Sequence, residues 1–291
     1  MKTLENGIKA VMSSYNSRLK EITRQSGNRI CFGFDPVLER IPLESGSIKE
    51  RITLFFSKIL DELENHGLRP ASIKPNSAFF EQYGVEGFAA LFQVVEEIRS
   101  RGMSVILDAK RGDIGRTAAA YARFAFDELG ADALTLNPYL GWETLEPFLE
   151  YSKGGKGVYV LLKTSNPGSK DFQELISKGR PLYLHVLDKI LEAKVDGAGA
   201  VVGGTHPEVL QEVLNLSAQA GQEVPLLIPG IGTQGAPVGE LKEILSGNDC
   251  AIHRINASSS LLYAWENFEN GIEEFPKAAR IEFEKLLSQL A

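Results

Sequence analysis

The chain has 291 residues, of which 31 are Lys or Arg and 38 are Asp or Glu, so its formal net charge is −7. Hydrophobic residues make up 43% and charged residues 24%, which is typical of a globular protein and excludes a disordered chain, a collagen and a disulfide-rich miniprotein. A chain of this length forms either two domains or one α/β barrel of roughly 250 residues. The acidic balance argues against nucleic acid or an anionic membrane as a partner, whereas a small anionic substrate needs only a local basic pocket.

Targeting signals and metal-ligand patterns are both missing from the sequence. No apolar run approaches the roughly 18 residues of a membrane span, and residues 1–22 lack the apolar block of a signal peptide. Cys31 and Cys250 are predicted to be buried free thiols, because neither lies in a C-x-x-C pair. The four histidines show no metal-ligand spacing. We therefore expect a cytoplasmic protein.

In chain order, a predicted N-terminal helix over residues 4–23 is followed by short β-branched apolar runs that alternate with amphipathic stretches. The eight runs predicted as strands are Ile30–Asp35, Ala71–Lys74, Val105–Lys110, Ala133–Asn137, Val158–Leu162, Ala200–Gly203, Leu226–Pro229 and Ala251–Ile255. The stretches predicted as helices between them include Ile52–Glu64, Phe88–Arg101, Thr117–Leu129 and Glu208–Ala220.

Eight strand–helix units predict a parallel sheet with helical crossovers, and eight such units close into a (β/α)8 TIM barrel. A doubly wound open sheet is the competing architecture, but polar residues at nearly every strand end favour the barrel. We predict one domain over residues 1–291, in which residues 1–29 form an N-terminal helical extension. The helix-poor insertion 166–180 after the fifth strand is a candidate lid.

The third strand carries the strongest chemical signal. Asp108 and Lys110 are two residues apart, so both side chains point to one face at the carboxyl end of the strand. Asp113 follows in the next loop, Thr117 lies four residues further on, and Lys74 ends the neighbouring second strand. Such alternating charges form a net-neutral chain, which argues against a divalent cation because a cation needs an excess of carboxylate oxygens. The alternative is a structural ion pair that closes one barrel end.

Other strand ends point to a phosphorylated ligand. Asp35 at the end of the first strand is suited to bridging two sugar hydroxyls, or else caps the next segment. Residues 230–235 match G-x-G-x-x-G, but they follow the seventh strand, where barrels bind phosphate through backbone N–H groups. Arg254 in the eighth predicted strand completes a phosphate clamp, unless it forms a surface ion pair. Ser165 adds a hydroxyl at the end of the fifth strand.

Taken together, these residues resemble the orotidine 5′-phosphate decarboxylase family, in its bacterial long form, over about residues 30–260. The resemblance rests on D-A-K-R-G-D-I at Asp108–Ile114 with Thr117, on the lysine of Ile73-Lys74-Pro75-Asn76, on Phe34-Asp35-Pro36, on Pro229-Gly230-Ile231-Gly232 with Gln234, and on Arg254. Two features depart from the family pattern. His253 stands where many members have a small residue, and the insertion 166–180 leaves the lid assignment open.

The resemblance implies loss of CO2 from orotidine 5′-phosphate to give uridine 5′-phosphate, the last step of UMP biosynthesis, without a cofactor or metal. Lys110 would stabilise and then protonate the C6 carbanion, and Asp108 would lie beside the departing carboxylate. Lys74 and Asp113 would hold these two ions in place. The resemblance also implies a homodimer, in which Asp113, Ile114 and Thr117 serve the site of the partner subunit.

The implied substrate contacts are divided among the ribose, the base and the phosphate. Asp35 with Lys74 would bind the ribose, Ser165 the pyrimidine, and Arg254 the phosphate. The full set of expected binding residues is Asp35, Asn76, Ile114, Thr117, Ser165, Pro229, Gly230, Gly232, Gln234 and Arg254. Two alternatives stay open, a Mg²⁺-dependent sugar-phosphate lyase or decarboxylase on the same barrel and a non-catalytic phosphate-ligand binding protein.

Overall fold

A computed structural model describes residues 13–230, 238–246 and 250–290. Its barrel consists of the parallel strands β1 (Ile30–Phe34), β2 (Ser72–Pro75), β3 (Ile106–Arg111), β4 (Ala133–Leu136), β5 (Gly157–Lys163), β8 (Ala198–Val202), β9 (Leu226–Ile228) and β10 (Arg254–Ala257). The strands pair in the order β2-β1-β10-β9-β8-β5-β4-β3. Two parallel bridges, Ile73 to Val105 and Asn76 to Asp108, join β2 to β3. The predicted barrel is therefore confirmed, and the open sheet is wrong.

The described helices pack around this sheet and at its ends. They are α1 (Tyr15–Ser26), α2 (Ile48–Asn65), α3 (Ser77–Glu81), α4 (Gly84–Ser100), α5 (Gly115–Arg123), α6 (Glu146–Ser152), α7 (Leu182–Ala193), α8 (Pro207–Gln219), α9 (Val238–Ser246), α10 (Ser259–Leu262) and α11 (Phe275–Leu290). No helix in these described ranges is long and apolar enough to cross a membrane.

Local sequence explains how α2 begins and which face it buries. Ser47 and Glu50 form a capping box, in which each side chain accepts a hydrogen bond from the backbone N–H of the other residue. The apolar face of the helix then packs on the sheet, where Phe56 stacks on Phe34 of β1 with ring centroids 3.9 Å apart. Burial of such faces supplies most of the stability of a helix in a protein.

The inside of the barrel has its own apolar core near the amino ends of the strands. It contains Cys31, Ile106, Ala133, Tyr159, Val201, Leu227 and Ile252, together with Tyr15 and Leu19 of α1. Helix α1 therefore plugs the amino end and leaves the carboxyl end for polar side chains. Cys31 and Cys250 are buried and form no disulfide bond, as predicted.

The eighth barrel strand and the N-terminal helix have bounds that differ from the prediction. The eighth barrel strand begins at Arg254 rather than at Ala251, because residues 250–252 form a turn of 3₁₀-helix. Helix α1 ends at Ser26 rather than at residue 23, and residues 4–12 of the predicted helix lie outside the described ranges. The insertion 166–180 contains a short antiparallel hairpin of β6 (Ile176–Ser177) and β7 (Arg180–Pro181).

Candidate active site

Three predicted catalytic residues form one ionic cluster at the carboxyl end of β2 and β3. The Nζ atom of Lys74 lies 2.8 Å from Asp108 Oδ2, and the Nζ atom of Lys110 lies 2.6 Å from Asp108 Oδ1. Lys74 and Asp108 are buried, whereas the Lys110 side chain is 47% exposed. The cluster thus carries one net positive charge, and its exposed end is the ammonium group of Lys110.

The charged neighbours of Asp108 and of Lys74 hold these two groups in their ionised forms. Burial alone raises the pKa of Asp108, but the adjacent ammonium groups of Lys74 and Lys110 lower it well below its ordinary value. Burial alone lowers the pKa of Lys74, but the carboxylates of Asp108 and Asp35 raise it above its ordinary value. Asp108 therefore stays an anion throughout the physiological pH range.

The backbone of β3 is irregular at Lys110. The pairing of β3 with β4 shifts register between Leu107 and Arg111, and Lys110 has a φ angle of +45°. This left-handed conformation is uncommon for a residue that carries a side chain. Thr135 of β4 stabilises it, since its Oγ1 accepts hydrogen bonds from the N–H groups of Ala109 at 3.0 Å and Lys110 at 2.9 Å.

Two further polar side chains lie at the carboxyl ends of β1 and β10. Asp35 Oδ1 and Asn256 Oδ1 are buried and have no hydrogen-bond partner among the described residues. Burial raises the pKa of Asp35, although Lys74 and a hydrogen bond from Ser258 oppose the shift. Gly33 makes room for this group, because a Cβ atom there would lie 1.8 Å from Ser258 Oγ. The two free acceptors are suited to ligand hydroxyl groups.

The ends of β5, β8 and β9 form the opposite part of the rim. A Cβ atom built on Gly203 would lie 3.0 Å from Ser165 Cβ, and one built on Gly230 would lie 3.4 Å from the same atom. Gly230 has a φ angle of +86°, and the carbonyl of Pro229 accepts from the Gly204 N–H at 2.8 Å. The structure thus brings Ser165, Pro229 and Gly230 together, as predicted from their strand ends. Gly232 and Gln234 lie outside the described residues.

The insertion 166–180 is fastened to the end of β5. The buried Nζ atom of Lys163 lies 2.7 Å from Glu174 Oε1 and 2.7 Å from Ser169 Oγ, both in the insertion. The Thr164 N–H also donates to Gln173 Oε1 at 2.9 Å. The candidate lid is therefore anchored beside Ser165 at the carboxyl end of the barrel.

Arg254 is not at this end of the barrel, and its predicted role in phosphate binding is wrong. It is the first residue of β10, is fully buried, and reaches the amino-end plug formed by α1. Its acceptors are Ser72 Oγ (3.0 Å), Thr23 Oγ1 (3.2 Å) and the carbonyls of Leu19 (3.0 Å), Ala251 (3.0 Å) and His253 (2.9 Å). The error follows from the strand boundary, because a strand that starts three residues later moves Arg254 from the carboxyl end to the amino end.

Comparison with known proteins agrees with this barrel. A model of the orotidine 5′-phosphate decarboxylase / HUMPS family matches residues 28–264. The chain belongs to this family. It is 42% identical to a Roseiflexus sp. (strain RS-1) protein named orotidine 5′-phosphate decarboxylase, over 83% of this chain and 86% of the relative. It is 38% identical to a protein of that name from Herpetosiphon aurantiacus, over 91% of this chain and 94% of the relative.

A solved structure is similar as well. The OMP decarboxylase of Leishmania donovani superposes with a TM-score of 0.74 at 34% identity, covering 96% of this chain and 99% of that chain. Within the family barrel, the matched residues 28–264 include the whole ionic cluster and the rim from Asp35 to Ser258.

The remaining predicted residues do not join the cluster within one chain. Asp113 lies in the loop after β3, where its Oδ1 accepts from the Ile114 N–H at 2.8 Å. Ile114 and Thr117 are exposed beside it. Asn76 caps helix α3, with its Oδ1 accepting from the Ala78 N–H at 3.3 Å.

Sequence reasoning missed three polar residues of this end of the barrel. Thr135 and Asn256 both point inward from buried strands, and the visible signal for each is a polar residue within an apolar strand run. Arg40, in the loop after β1, has no comparable local signal. Its Nη1 lies 3.3 Å from Ser259 Oγ, which follows β10, and only the folded chain brings the two residues together.

Proposed function

We propose that the chain converts orotidine 5′-phosphate to uridine 5′-phosphate and CO2 without a cofactor, as the last step of UMP biosynthesis. The observation that carries this proposal is the buried Asp108, whose two carboxylate oxygens are each bound by a lysine. The names of the relatives and their coverage of nearly the whole chain support the same reaction.

The reaction places an electron pair where the substrate offers no acceptor for it. When the bond from C6 to the carboxylate breaks, its electrons remain on C6 as a carbanion and CO2 leaves. The half-exposed ammonium group of Lys110 supplies a fixed positive charge for this carbanion and then donates a proton to C6. Lys110 recovers its proton from solvent. Asp108 fixes the ammonium group and stays ionised, so a negative charge also faces the carboxylate that departs.

The donor set of the cluster favours this reaction over a Mg²⁺-dependent one. Asp108 Oδ1 accepts from Lys110 and from Thr135 Oγ1 at 2.9 Å, and Oδ2 accepts from Lys74. A divalent cation binds several carboxylate, carbonyl or water oxygens, and here two ammonium groups occupy the carboxylate. Within the described ranges, no group of three His, Cys, Asp or Glu side chains is placed to hold a metal ion.

The rim offers separate contacts for the parts of the nucleotide. Asp35, which lies near the charge of Lys74, and Asn256 each present a free acceptor, which suits the ribose hydroxyls. Ser165 serves the pyrimidine, and the backbone around Gly230 serves the 5′-phosphate. The phosphate is far from C6, so its binding energy is used to order the site and the anchored insertion 166–180, which we propose acts as a lid.

We also propose a homodimer with shared active sites. The loops after β3, β4 and β5 expose a group of apolar side chains that includes Ile114, Tyr139, Leu140 and Phe172. The rings of Tyr139 and Phe172 pack edge to face with centroids 6.4 Å apart. Apolar side chains grouped in this way mark a protein interface. Asp113 precedes Ile114 in the loop after β3, and Thr117 lies in the first turn of the helix that follows, so pairing through this loop would bring them to the site of a second copy.

A cytoplasmic location is part of the proposal. It is supported by the two buried cysteines, which form no disulfide bond, since reduced cysteines are usual in the cytosol.

The reaction is tested by following the loss of orotidylate absorbance with purified protein in the presence of EDTA. We expect turnover that EDTA does not change, and Lys110→Ala is expected to abolish it while the affinity for uridine 5′-phosphate stays within about tenfold. Lys153→Ala is the control, because this exposed lysine pairs only with Glu150 on the surface. Absence of turnover in the wild type, or loss of turnover with EDTA, would refute the proposal.

A further inference from the structure

We propose that Thr135 is a positioning residue, which holds the backbone of Lys110 in its left-handed conformation and so aims the ammonium group at the reacting carbon. This inference rests on the proposed decarboxylation only for the identity of that carbon. The hydroxyl group of Thr135 touches Lys110 and Asp108 and acts on the reaction through them.

The Thr135 hydroxyl group is fully used by the catalytic strand. Its oxygen accepts from the N–H groups of Ala109 at 3.0 Å and Lys110 at 2.9 Å, and its proton is donated to Asp108 Oδ1 at 2.9 Å. Both lone pairs and the proton therefore have partners. The side chain is 1% exposed, so water does not replace these bonds easily.

The irregularity of β3 explains why a side chain is needed at this point. Regular pairing with β4 ends at Leu107 and resumes at Arg111, so the residues between them have no pairing partner on β4. Thr135 supplies the missing acceptor from the neighbouring strand. The bulge turns Lys110 to a φ angle of +45°, which a residue with a side chain adopts only where its surroundings enforce it.

Loss of the hydroxyl group should therefore affect the chemical step more than substrate binding. Without this acceptor, the backbone of Lys110 is free to leave the left-handed conformation. Only Asp108 then directs the Nζ atom of Lys110. The rim residues that face ribose and phosphate lie on β1, β9 and β10, and Thr135 contacts none of them through a hydrogen bond.

The test compares Thr135→Val, which keeps the shape, with Thr135→Ser, which keeps the hydroxyl group. Thr144→Val is the matched control, because Thr144 is equally buried and its hydroxyl group bonds only the nearby Gly141 carbonyl. We expect Thr135→Val to lower kcat at least tenfold with KM within threefold of wild type, and Thr135→Ser to recover at least half of the logarithmic loss. Thr144→Val should keep kcat within threefold.

A kcat for Thr135→Val within tenfold of wild type, or an equal loss in Thr135→Ser, would overturn the inference. If Thr135→Val does not fold, Thr135→Cys replaces it under the same criteria, because a thiol is a poor acceptor of similar size. Amide hydrogen exchange of Ala109 and Lys110 is measured in parallel and needs no turnover. Exchange should be faster in Thr135→Val and unchanged in Thr135→Ser. A wild type without decarboxylase activity would therefore refute the proposed function, while the exchange rates would still decide the role of Thr135.

A separate observation concerns the cation that faces the phosphate. We infer that Arg40 takes the role that Arg254 cannot fill. Arg40 ends a 3₁₀ turn after β1, and its Nη1 lies 3.3 Å from Ser259 Oγ just beyond β10. Strand β10 pairs with β9, and Gly230 follows β9. The guanidinium group of Arg40 therefore lies on the same part of the rim as Gly230.

The guanidinium group is held in a fixed orientation. It stacks over the ring of Tyr263, 3.8 Å from the centroid, and its Nε and Nη2 atoms each lie 2.7 Å from a carboxylate oxygen of Glu266. Three of its five N–H donors are used, by Ser259 and by the two oxygens of Glu266, which leaves one donor on Nη1 and one on Nη2. Glu266 offsets the charge of Arg40. It also orients the guanidinium group so that the two unused N–H donors can bind a phosphate oxygen.

Three other described cations at this end of the barrel lie on strands that do not pair with β10. Lys74 and Lys110 of β2 and β3 are bound to Asp108, and Lys163 of β5 is bound to Glu174. The order of the strands therefore places Arg40, which lies between β1 and Ser259, next to the proposed phosphate site.

The test measures the dissociation constants of uridine 5′-phosphate and uridine. Arg40→Gln should weaken nucleotide binding at least tenfold and change nucleoside binding less than threefold, with Arg40→Lys in between. Arg24→Gln is the matched control, since Arg24 forms the same two-bond pair with Glu21 on the far side of the protein. Glu266→Gln should tighten nucleotide binding relative to nucleoside, and it keeps the test decisive if Arg40→Gln does not fold.

Equal weakening of both ligands in Arg40→Gln, or unchanged binding of both, would overturn the role of Arg40. A wild type that binds uridine 5′-phosphate no better than uridine would instead contradict the proposed function, so the two failures are distinguishable.

Discussion

Replacement of Arg254 by methionine tests how the amino end of the barrel is closed. Burial lowers the pKa of Arg254, and the acceptors of its guanidinium are all neutral, so this cation depends on a complete set of hydrogen bonds. In Arg254→Met, methionine fills much of the volume, and the loss is therefore mainly that of acceptors left without donors.

The size of the effect follows from counting those acceptors. Thr23 keeps its bond to the Ala251 carbonyl at 2.6 Å, and Ser72 keeps its bond to the Ala71 carbonyl at 2.8 Å. Leu19 lies within α1, so its carbonyl keeps the helical hydrogen bond from the Thr23 N–H. The carbonyl of His253 loses the donor that Arg254 gave it. At about 1–3 kcal/mol for a buried acceptor, the free energy of unfolding should fall by about 2 kcal/mol. With a urea m-value of about 3 kcal/mol per M, the midpoint should fall by about 0.7 M.

Urea unfolding at a fixed protein concentration measures this shift. The exposed Arg24→Met is the control and should leave the midpoint within about 0.2 M of wild type. The ratio of uridine 5′-phosphate to uridine affinity, measured on the same samples, should not change in Arg254→Met. An unchanged urea midpoint together with a loss of nucleotide preference would refute the placement of Arg254 in the amino-end plug.

Three further outcomes are expected. The pKa of Asp108 is depressed in the folded state, so the ionised carboxylate contributes fully to the free energy of unfolding above its ordinary pKa of about 3.9. This contribution is lost as pH falls below that value. Asp108→Asn should therefore flatten the acid side of a curve of unfolding free energy against pH, and an unchanged acid side would contradict this. A mixture of inactive Asp113→Ala and Lys110→Ala subunits should regain part of the activity once subunit exchange is confirmed, and no recovery would count against shared sites. Gly33→Ala should lower turnover and stability, because its Cβ atom would meet Ser258 Oγ at 1.8 Å; unchanged values of both would show that the strand ends adjust freely.

Most of the ionic cluster was predictable because it depends on short-range rules. Side chains two residues apart on a strand share a face, which places Asp108 and Lys110 together. Parallel strands present their carboxyl ends at one edge, which brings Lys74 beside them. The structure confirms this grouping with both lysines in contact with Asp108. The contribution of Asp113 to a second subunit stays a prediction, since it depends on a partner chain.

The error at Arg254 has a definite physical origin. The apolar residues before it have strand-like character, and Ile252 does face the barrel interior, but it does so from a 3₁₀ turn. The alternation of side chains along a strand correctly predicts that Arg254 points into the barrel. It does not predict how far along the barrel axis the residue lies. That distance depends on where pairing with β1 and β9 begins, which is a property of neighbouring strands.

By itself, the sequence determined the barrel, the order of its strands along the chain and the charges that meet at the end of β2 and β3, because hydrophobic periodicity and strand alternation are local. Only the tertiary structure decided that Thr135 supports the bulge at Lys110, that Arg40 reaches Ser259, and that Arg254 belongs to the plug with α1. These contacts join residues 25, 219 and 235 positions apart, and no local pattern encodes which distant side chain satisfies a given donor.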